Sequence, residues 1–476
     1  MRLPFLRRTP RKGSRVLVAF ASQTGAAEQV AWRSANALAT GPGRNFVRVA
    51  ALGSLTAAEI AEAGTLLAVT STYGAGEAPD SARAFARKQM SQTPALKGLD
   101  YAVLALGDSK YDATFCGFGR SLDRWLAAGR ARRLFDVVCV DGDDDVEAMT
   151  RWAEQLHGLG ASTTAEALMP GPPQDWILAE RRLLNPGSPG GEAWHIALTP
   201  KNPAHLNWTA GDIAEIWPRN AEEAVTDFMA RHELDGGKSF RWRGHWTFLR
   251  DIIAGSRLPQ DHEIAGISLQ WLVDRLEVFP HREYSIASLP DSGRIELLVR
   301  KAVKEDGSLG LGSGWLIRDC AMGGVVKLRV RPNPNFHPPG DGPMMLIGAG
   351  TGIAGLRAHL MHRRQQRLGG AWLLFGERSR AADFHYADDI ARWQADGTLA
   401  RVDAVFSRDA APRRYVQHLV REKGGEICAW LEQGASLMVC GGLDMAAGVH
   451  EALAAICGQD RLDAMVQKGL YRRDIY

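Results

Sequence analysis

The sequence has no apolar stretch of the roughly 20 residues that a helix needs to cross a bilayer, so the chain reads as soluble. A strong charge of either sign is missing too. Fifty-seven Lys and Arg against 54 Asp and Glu leave a formal net charge of +3, without the basic excess that nucleic acid selects. Cysteine is scarce: Cys116, Cys139, Cys320, Cys428, Cys440 and Cys457 form no CxxC pair and no metal-ligand spacing. That pattern speaks against a disulfide framework or a metal site and for a reducing cytoplasm. His359 and His362 stand one helical turn apart, but in "RAHLMHRRQQR" they read as a solvated basic face. The amino terminus, "MRLPFLRRTPRKGSR", pairs Arg7 with Arg8, and the apolar run after it is too short for a signal peptide. It reads as a disordered basic arm over 1–13, with weak attraction to an acidic membrane surface as the sharper alternative.

What is present is an alternation. From 14 to 160, "VLVAF", "TLLAVT", "YAVLALG" and "DVVCV" are short apolar runs that each end in a polar, Gly-containing loop and are separated by helical patterns. This predicts a doubly wound parallel sheet. Residues 161–190, with "GPPQDW" and "NPGSPGG", read as a linker. From 191 to 335, "AWHIALTP", "GDIAEIWP", "RIELLVRKAV" and "VVKLRVR" read as an antiparallel barrel or sandwich, interrupted by a helical, Trp-rich insertion at about 221–275. The strand–helix alternation resumes over 336–476, giving a second parallel α/β domain and an overall class of α/β plus β.

In such sheets ligands bind beyond the carboxyl ends of the strands, where the polar loops lie. "ASQTGAAE" places Ser22, Gln23, Thr24 and Gly25 at the start of a helix, where backbone N–H groups and the macrodipole favour an anion. No Lys follows, so nucleotide hydrolysis is not indicated, and taken alone the stretch reads equally as a helix cap. "STYGAGEAPD" and "LGDSKYDATFCGFG" bring Tyr73 and Tyr111 to the same edge. Two aromatic rings beside a phosphate cradle suit a flat heteroaromatic phosphate such as FMN.

These three strings resemble the FMN loops of diflavin NADPH reductases, the family of NADPH:haemoprotein reductases and the sulfite reductase flavoprotein. The resemblance runs from about residue 15 to the end. It implies a flavodoxin-like domain in which Ser22–Gly25 hold the FMN phosphate and Tyr73 and Tyr111 flank the ring. Further contacts come from Ser71, Thr72, Gly74, Leu106, Gly107, Asp108, Phe115 and Asp141. Asp141–Asp145 match the acidic stretch after the last FMN strand, a solvated face that could also dock a basic partner. "HREYSIAS" alone reads as a polar sheet face, and "LGLGSGWL" as a turn before a buried Trp315 and Leu316. Together they resemble the family's FAD signature. Arg282 would pair with the pyrophosphate, Tyr284 would contact the flavin, Ser285 would lie near its N5, and Gly310, Leu311, Gly312 and Ser313 would offer backbone N–H groups.

In "IGAGTGIAG" the glycines Gly348, Gly350 and Gly352 permit close approach of backbone to a pyrophosphate, with Thr351 between the last two. In "VFSRDAAPRRYVQH", Ser407, Arg408, Arg413 and Tyr415 could surround an extra phosphate and an adenine; the alternative is a surface basic loop. The family carries its 2′-phosphate contacts here, which implies NADPH and a ferredoxin-reductase-like final domain. Gly376, Glu377 and Arg378 also match a family strand end. Cys440, by default a core thiol, falls where the family has a Cys beside the nicotinamide. Asp474 and Tyr476, at a terminus that would ordinarily fray, match its catalytic Asp and the aromatic gate over FAD. Gly355 and Leu356 stand where the family commonly has Pro and Phe, "CGGLDM" lacks a common Asp, and the segment between "EIWPRN" and "HREYS" is short. The expected activity is electron transfer from NADPH through FAD and FMN to a haem-containing protein. The rivals are an electron carrier with an inactive carboxyl half and a single-flavin NADPH oxidase or quinone reductase.

Overall fold

The structure, a computed structural model, describes residues 15–476 apart from 24, 44, 75, 143–144, 243–244, 265 and 410, and only the backbone of 111, 112 and 245. The basic arm, Thr24 and the Tyr111 ring therefore lie outside the described residues. Two compact units are present. One comprises the chain up to Gly171 with Asn333–Asn335 and Gln459–Leu470; the other comprises Pro172–Pro332, Phe336–Gly458 and Tyr471–Tyr476.

The first unit is built on strands β1 (Arg15–Ala21), β2 (Phe46–Ala51), β3 (Thr65–Ser71), β4 (Asp100–Gly107), β5 (Arg132–Arg133) and β6 (Val138–Asp141). They pair in parallel in the order β2-β1-β3-β4-β5, with β6 also on β4. β1 and β3 are almost wholly buried because helices cover both faces, which is why their sequences are continuous apolar runs. Val18, Val69, Leu104 and Trp152 pack on one side; Leu17, Leu66, Val103 and Trp125 pack on the other. The order reverses between β1 and β3, so the loops after β1, β3, β4 and β6 open around the switch point of the sheet. Asn333–Asn335 and the helix Gln459–Gln467, both distant in sequence, belong to this unit, and an Arg87–Asp463 ion pair holds the helix.

The second unit contains a six-stranded antiparallel sheet in the order β12-β9-β14-β7-β8-β13. Its strands are β7 (Gln174–Leu183), β8 (Ala193–Pro200), β9 (Ile213–Trp217), β12 (Arg282–Ser285), β13 (Ile295–Arg300) and β14 (Val325–Arg331). β7 corrects the linker reading of 161–190: Pro and Gly crowd both of its flanks, but the ten residues between them pair with β8 and β14. The insertion has helices Glu222–Arg231, Leu249–Ala254 and Leu269–Arg275 around a small core of its own. It also carries a hairpin, β10 (Ser239–Trp242) with β11 (His245–Phe248), that a purely helical reading lacks.

A parallel sheet in the order β17-β16-β15-β18-β19 completes the unit. It consists of β15 (Met344–Ala349), β16 (Ala371–Glu377), β17 (Leu399–Phe406), β18 (Ser436–Gly441) and β19 (Tyr471–Ile475). β19 places the carboxyl terminus beside β18 instead of leaving it frayed. His359 corrects a second expectation. It is fully buried against Phe336, ring centroids 4.9 Å apart, and burial pushes its imidazole down to about 3. His362 is half-buried. Among the described residues, no helix is long and apolar enough to cross a membrane.

Candidate functional site

In the first unit the β1 turn is braced from inside. Ser22 is buried, and its hydroxyl oxygen accepts from the Gly25 amide at 2.9 Å. Gln23 grips Asp80 twice, donating to the carboxylate at 3.1 Å and accepting from the Asp80 amide at 2.9 Å. The Gln23 amide donates to the Ser71 hydroxyl at 3.2 Å, and the Ser22 amide donates to the Ser81 hydroxyl at 3.3 Å. Asn335 donates to the Ser22 carbonyl at 2.9 Å. The side chains of Ser22 and Gln23 thus shape the turn, and Gly25 adopts φ 90° at the start of the helix Ala26–Thr40. This turn leads the macrodipole of a 15-residue helix toward the switch point.

The β3 loop closes on itself through paired Tyr73 and Glu77 backbone bonds of 3.0 and 2.8 Å. Tyr73 is half-buried with the Arg83 guanidinium 5.8 Å from its ring, and Gly74 takes φ 52°. The Thr72 hydroxyl is buried and has no hydrogen-bond partner among the described residues, an acceptor and donor left over for a ligand. In the β4 loop, a side chain at Gly107 would press on Phe115 and Cys116 at 2.9 Å, so Gly is required. Leu106 is half-buried and Asp108 exposed. Asp141 accepts from the Ser109 amide at 2.8 Å, and Asp145 caps the helix Val146–Gly158 through the Ala148 amide at 2.9 Å. These two carboxylates of the acidic stretch clamp loops as well as meeting solvent. Asp143 and Asp144 lie outside the described residues.

In the second unit, Arg282, Tyr284, Gly310, Leu311, Gly312 and Ser313 line one cavity of about 510 Å³ together with Arg300. A Cβ on Gly312 would stand 2.6 Å from the Tyr284 hydroxyl and 2.7 Å from Arg282 Cγ, so Gly lets the turn and the strand meet. The Ser313 hydroxyl is used locally: it accepts from Ala302 at 3.1 Å and donates to the Gly310 carbonyl at 3.3 Å. Burial pushes the Tyr284 phenol up to about 12. Across the second parallel sheet, Gly350 has φ 60° in the turn Gly350–Gly352 that opens the helix Ile353–Gln365. Gly348 and Gly352 have a different reason from the one expected. A Cβ at Gly352 would collide with the Cys440 carbonyl, and one at Gly348 would stand 2.7 Å from Leu356 and 3.0 Å from the same carbonyl. Both glycines fit this turn against β18.

Three elements converge at Asp474. The Ser285 hydroxyl donates to Asp474 Oδ2 at 2.6 Å, and the Cys440 thiol lies 3.7 Å from the same oxygen, because Cys440 and Asp474 pair across β18 and β19. Burial raises the Asp474 carboxyl above the usual carboxylate range. Burial and then the Asp474 charge raise the Cys440 thiol, so it stays protonated. Gly355 completes the wall: a Cβ there would meet Cys440 Sγ at 3.2 Å, Phe336 at 3.3 Å and Ser285 at 3.5 Å. Tyr476 is half-exposed, and its hydroxyl shares a 2.8 Å hydrogen bond with the Thr351 hydroxyl.

Farther along the sheet, Ser407 is buried with its amide on the Glu377 carbonyl at 2.8 Å. Arg408 and Arg413 are exposed, and neither enters an ion pair with the described residues. Tyr415 caps the helix Val416–Glu422. Sequence reasoning missed Arg300, whose guanidinium pairs with the buried Glu377 beside Gly350. It also missed Asp80, Ser81 and Asn335; the "APD" that ends the β3 loop was the available sign of Asp80.

A flavodoxin model matches residues 18–155, and an oxidoreductase NAD-binding domain model matches residues 346–451. The sulfite reductase [NADPH] flavoprotein alpha-component of Shewanella sp. (strain ANA-3) is 28% identical over 97% of this chain and 89% of its own length. That of Bacillus subtilis (strain 168) is 28% identical over 98% and 90%, and that of Vibrio cholerae is 29% identical over 88% and 81%. With a flavodoxin-like sheet, an antiparallel sheet and a pyridine-nucleotide sheet in this order, the chain is similar over nearly its whole length to the diflavin reductases.

Proposed function

We propose that this NADPH-dependent diflavin reductase delivers its electrons to a haem-containing protein, and the similarity to sulfite reductase flavoprotein alpha-components supports a sulfite reductase haemoprotein as the first candidate. The observation that carries the reading is the meeting of Ser285, Cys440 and Asp474 from three separate strands.

The residues suit the three cofactors of the family, FMN, FAD and NADPH. For FMN, the helix start at Gly25, the unpartnered Thr72 hydroxyl and the half-buried Tyr73 would hold phosphate and ring, with Tyr111, Leu106, Gly107, Asp108 and Asp141 around them. For FAD, Arg282 and the amides of Gly310–Ser313 would take the pyrophosphate, and Tyr284 the flavin. For NADPH, the turn Gly350–Gly352 would take the pyrophosphate. The exposed guanidinium groups of Arg408 and Arg413, with Ser407, would take the 2′-phosphate beside Tyr415. When bound, the flavins turn a two-electron hydride donor into single-electron steps.

The protein's own contribution is orientation and charge. Asp474 fixes the Ser285 hydroxyl and the Cys440 thiol on one oxygen, and both would face the nicotinamide when it is bound. Tyr476, whose hydroxyl rests on Thr351, would cover that side, and turning it aside would expose the face for hydride delivery. The test is anaerobic mixing of the FMN- and FAD-loaded protein with NADPH, followed by addition of a sulfite reductase haemoprotein. Bleaching of both flavins and reduction of the haem are expected. Persistent yellow colour would overturn the reading, and bleaching without haem reduction would remove the acceptor.

A further inference from the structure

A buried ionic network lies on the face of the antiparallel sheet opposite the FAD-signature cavity. Glu215 is fully buried and accepts from Arg329 Nε at 2.5 Å and from Arg331 Nε at 2.6 Å. Arg331 Nη2 then reaches Glu283 Oε2 at 2.7 Å. His281 stands 4.0 Å from Glu215 and 3.7 Å from Glu283.

The register fixes which way this network faces. Across β12, β9 and β14, Glu283 is paired with Glu215 and Glu215 with Arg329; Ser285 is paired with Ile213 and Ile213 with Arg331. Residues directly opposite each other, and residues two apart on one strand, share a face. Ser285, Glu283, Glu215, Arg329 and Arg331 therefore project to one side, while Arg282 and Tyr284 line the cavity on the other. Arg331 begins two strands away from Ser285, yet its guanidinium ends on Glu283, the next residue on the Ser285 face. That head, 5% exposed, is a cation held between the buried Glu215 and the half-exposed Glu283 on the face that carries Ser285.

We infer that Arg331 and Glu283 form a positioning pair whose opposed charges set the field at the Ser285–Asp474–Cys440 site. The inference rests on the reading of that site given above. Neither residue touches a reacting atom; both act through Asp474. The groups facing Asp474 are Cys440 on β18, Tyr476 beyond its own strand, Glu283 on β12 and Arg331 on β14, with Glu215 and His281 behind them. Arg331 favours the Asp474 carboxylate and Glu283 opposes it, while burial remains the larger influence. Removing one member should move Asp474 in one direction, and removing the other should move it in the opposite direction. A purely structural role gives no such sign.

The test titrates the Asp474 carboxyl by infrared difference against Asp474→Asn in the flavin-loaded protein, for wild type, Glu283→Gln and Arg331→Met. In parallel, the pH profile of anaerobic flavin bleaching by NADPH is recorded. Glu283→Gln should lower the Asp474 midpoint, and Arg331→Met should raise it, each by on the order of half a pH unit. The bleaching limb should move with it. Should Arg331→Met fail to fold, Glu283→Gln, at a half-exposed position, decides alone. Unmoved midpoints, or shifts of the same sign, overturn the pair. A wild type that NADPH does not bleach overturns the functional reading instead, and the infrared titration, which needs no NADPH, still decides the pair.

Discussion

Two turns in this protein do the same topological job, joining the first strand of a parallel sheet to a helix at the edge where ligands bind, and they are built in opposite ways. The β1 turn is cross-braced by side chains: Ser22 on Gly25, Gln23 on Asp80 and Ser71, and Ser81 on Ser22. The β15 turn is set by the absence of side chains, with Gly348 and Gly352 seated on the Cys440 carbonyl. The side-chain hydroxyl in its middle, Thr351, is engaged by Tyr476, a half-exposed residue at the very end of the chain. A turn tied down on several sides suits a cofactor that stays. A turn with one removable latch suits a cofactor that arrives, reacts and leaves. On the cofactor assignment proposed above, the same strand–helix geometry would be tuned for residence or for turnover by where its hydrogen bonds go.

The contrast breaks most severely at Gly352. Gly352→Ala drives a methyl group into the Cys440 carbonyl, at a cost of about 1–3 kcal/mol of overpacking, and displaces both the turn and Cys440. NADPH-driven bleaching should be lost, while FMN content, which depends on the other turn, should stay at the wild-type level by extraction and absorbance. Asp474→Asn comes next. It should slow hydride transfer by about 10²-fold, measured by stopped-flow bleaching, with both flavins retained. Its stability should change in the opposite sense. The folded-state carboxyl lies above its unfolded value of 3.8, so the folded state binds more protons and loses stability as pH rises through that window. At neutral pH, Asp474→Asn removes this cost and should melt no lower than wild type.

The alternation of strands and helices in both parallel sheets was legible because a strand covered on both faces must be apolar throughout, as β1 and β15 are. β7 was not, since Pro and Gly on both flanks masked ten residues that find partners only in β8 and β14. His359 was misread for a related reason. Its basic neighbours dominate the local pattern, while its burial against Phe336 is a tertiary fact. At the site, "HREYSIAS" and "LGLGSGWL" marked side chains that the fold does bring to one cavity, and the pairing of β18 with β19 puts Cys440 beside Asp474. What no local string held was the use of the polar groups. The Ser22 hydroxyl and the Gln23 amide are turned to neighbours 3 and 57 residues away. The clearance at Gly348 and Gly352 is owed to a strand far along the chain. Such contacts depend on which backbones meet, and residue spacing does not encode that.

The braced turn offers a smaller perturbation. Gln23→Ala removes both hydrogen bonds to Asp80, a loss of about 1–3 kcal/mol in the folded loop. FMN should dissociate more readily on dilution or in mild urea, read by the recovery of free-flavin fluorescence, while NADPH affinity stays unchanged. Equal loss of both cofactors would mean that the two turns are not independently built, and the contrast between them would fail.

The smallest effect belongs to the latch. Tyr476→Phe keeps the ring and deletes only the hydroxyl that meets Thr351, at a half-exposed position where a hydrogen bond is worth about 1 kcal/mol or less. Because that bond must break before the ring turns aside, its loss should favour the open position and tighten NADPH binding by about 2- to 5-fold, with little change in the bleaching rate at saturation. Thr351→Val should reproduce the effect from the other side of the bond, and the double variant should add nothing to it. Additive effects would show that the two hydroxyls serve the dinucleotide separately, and the β15 turn would then be held open to its ligand by its glycines alone.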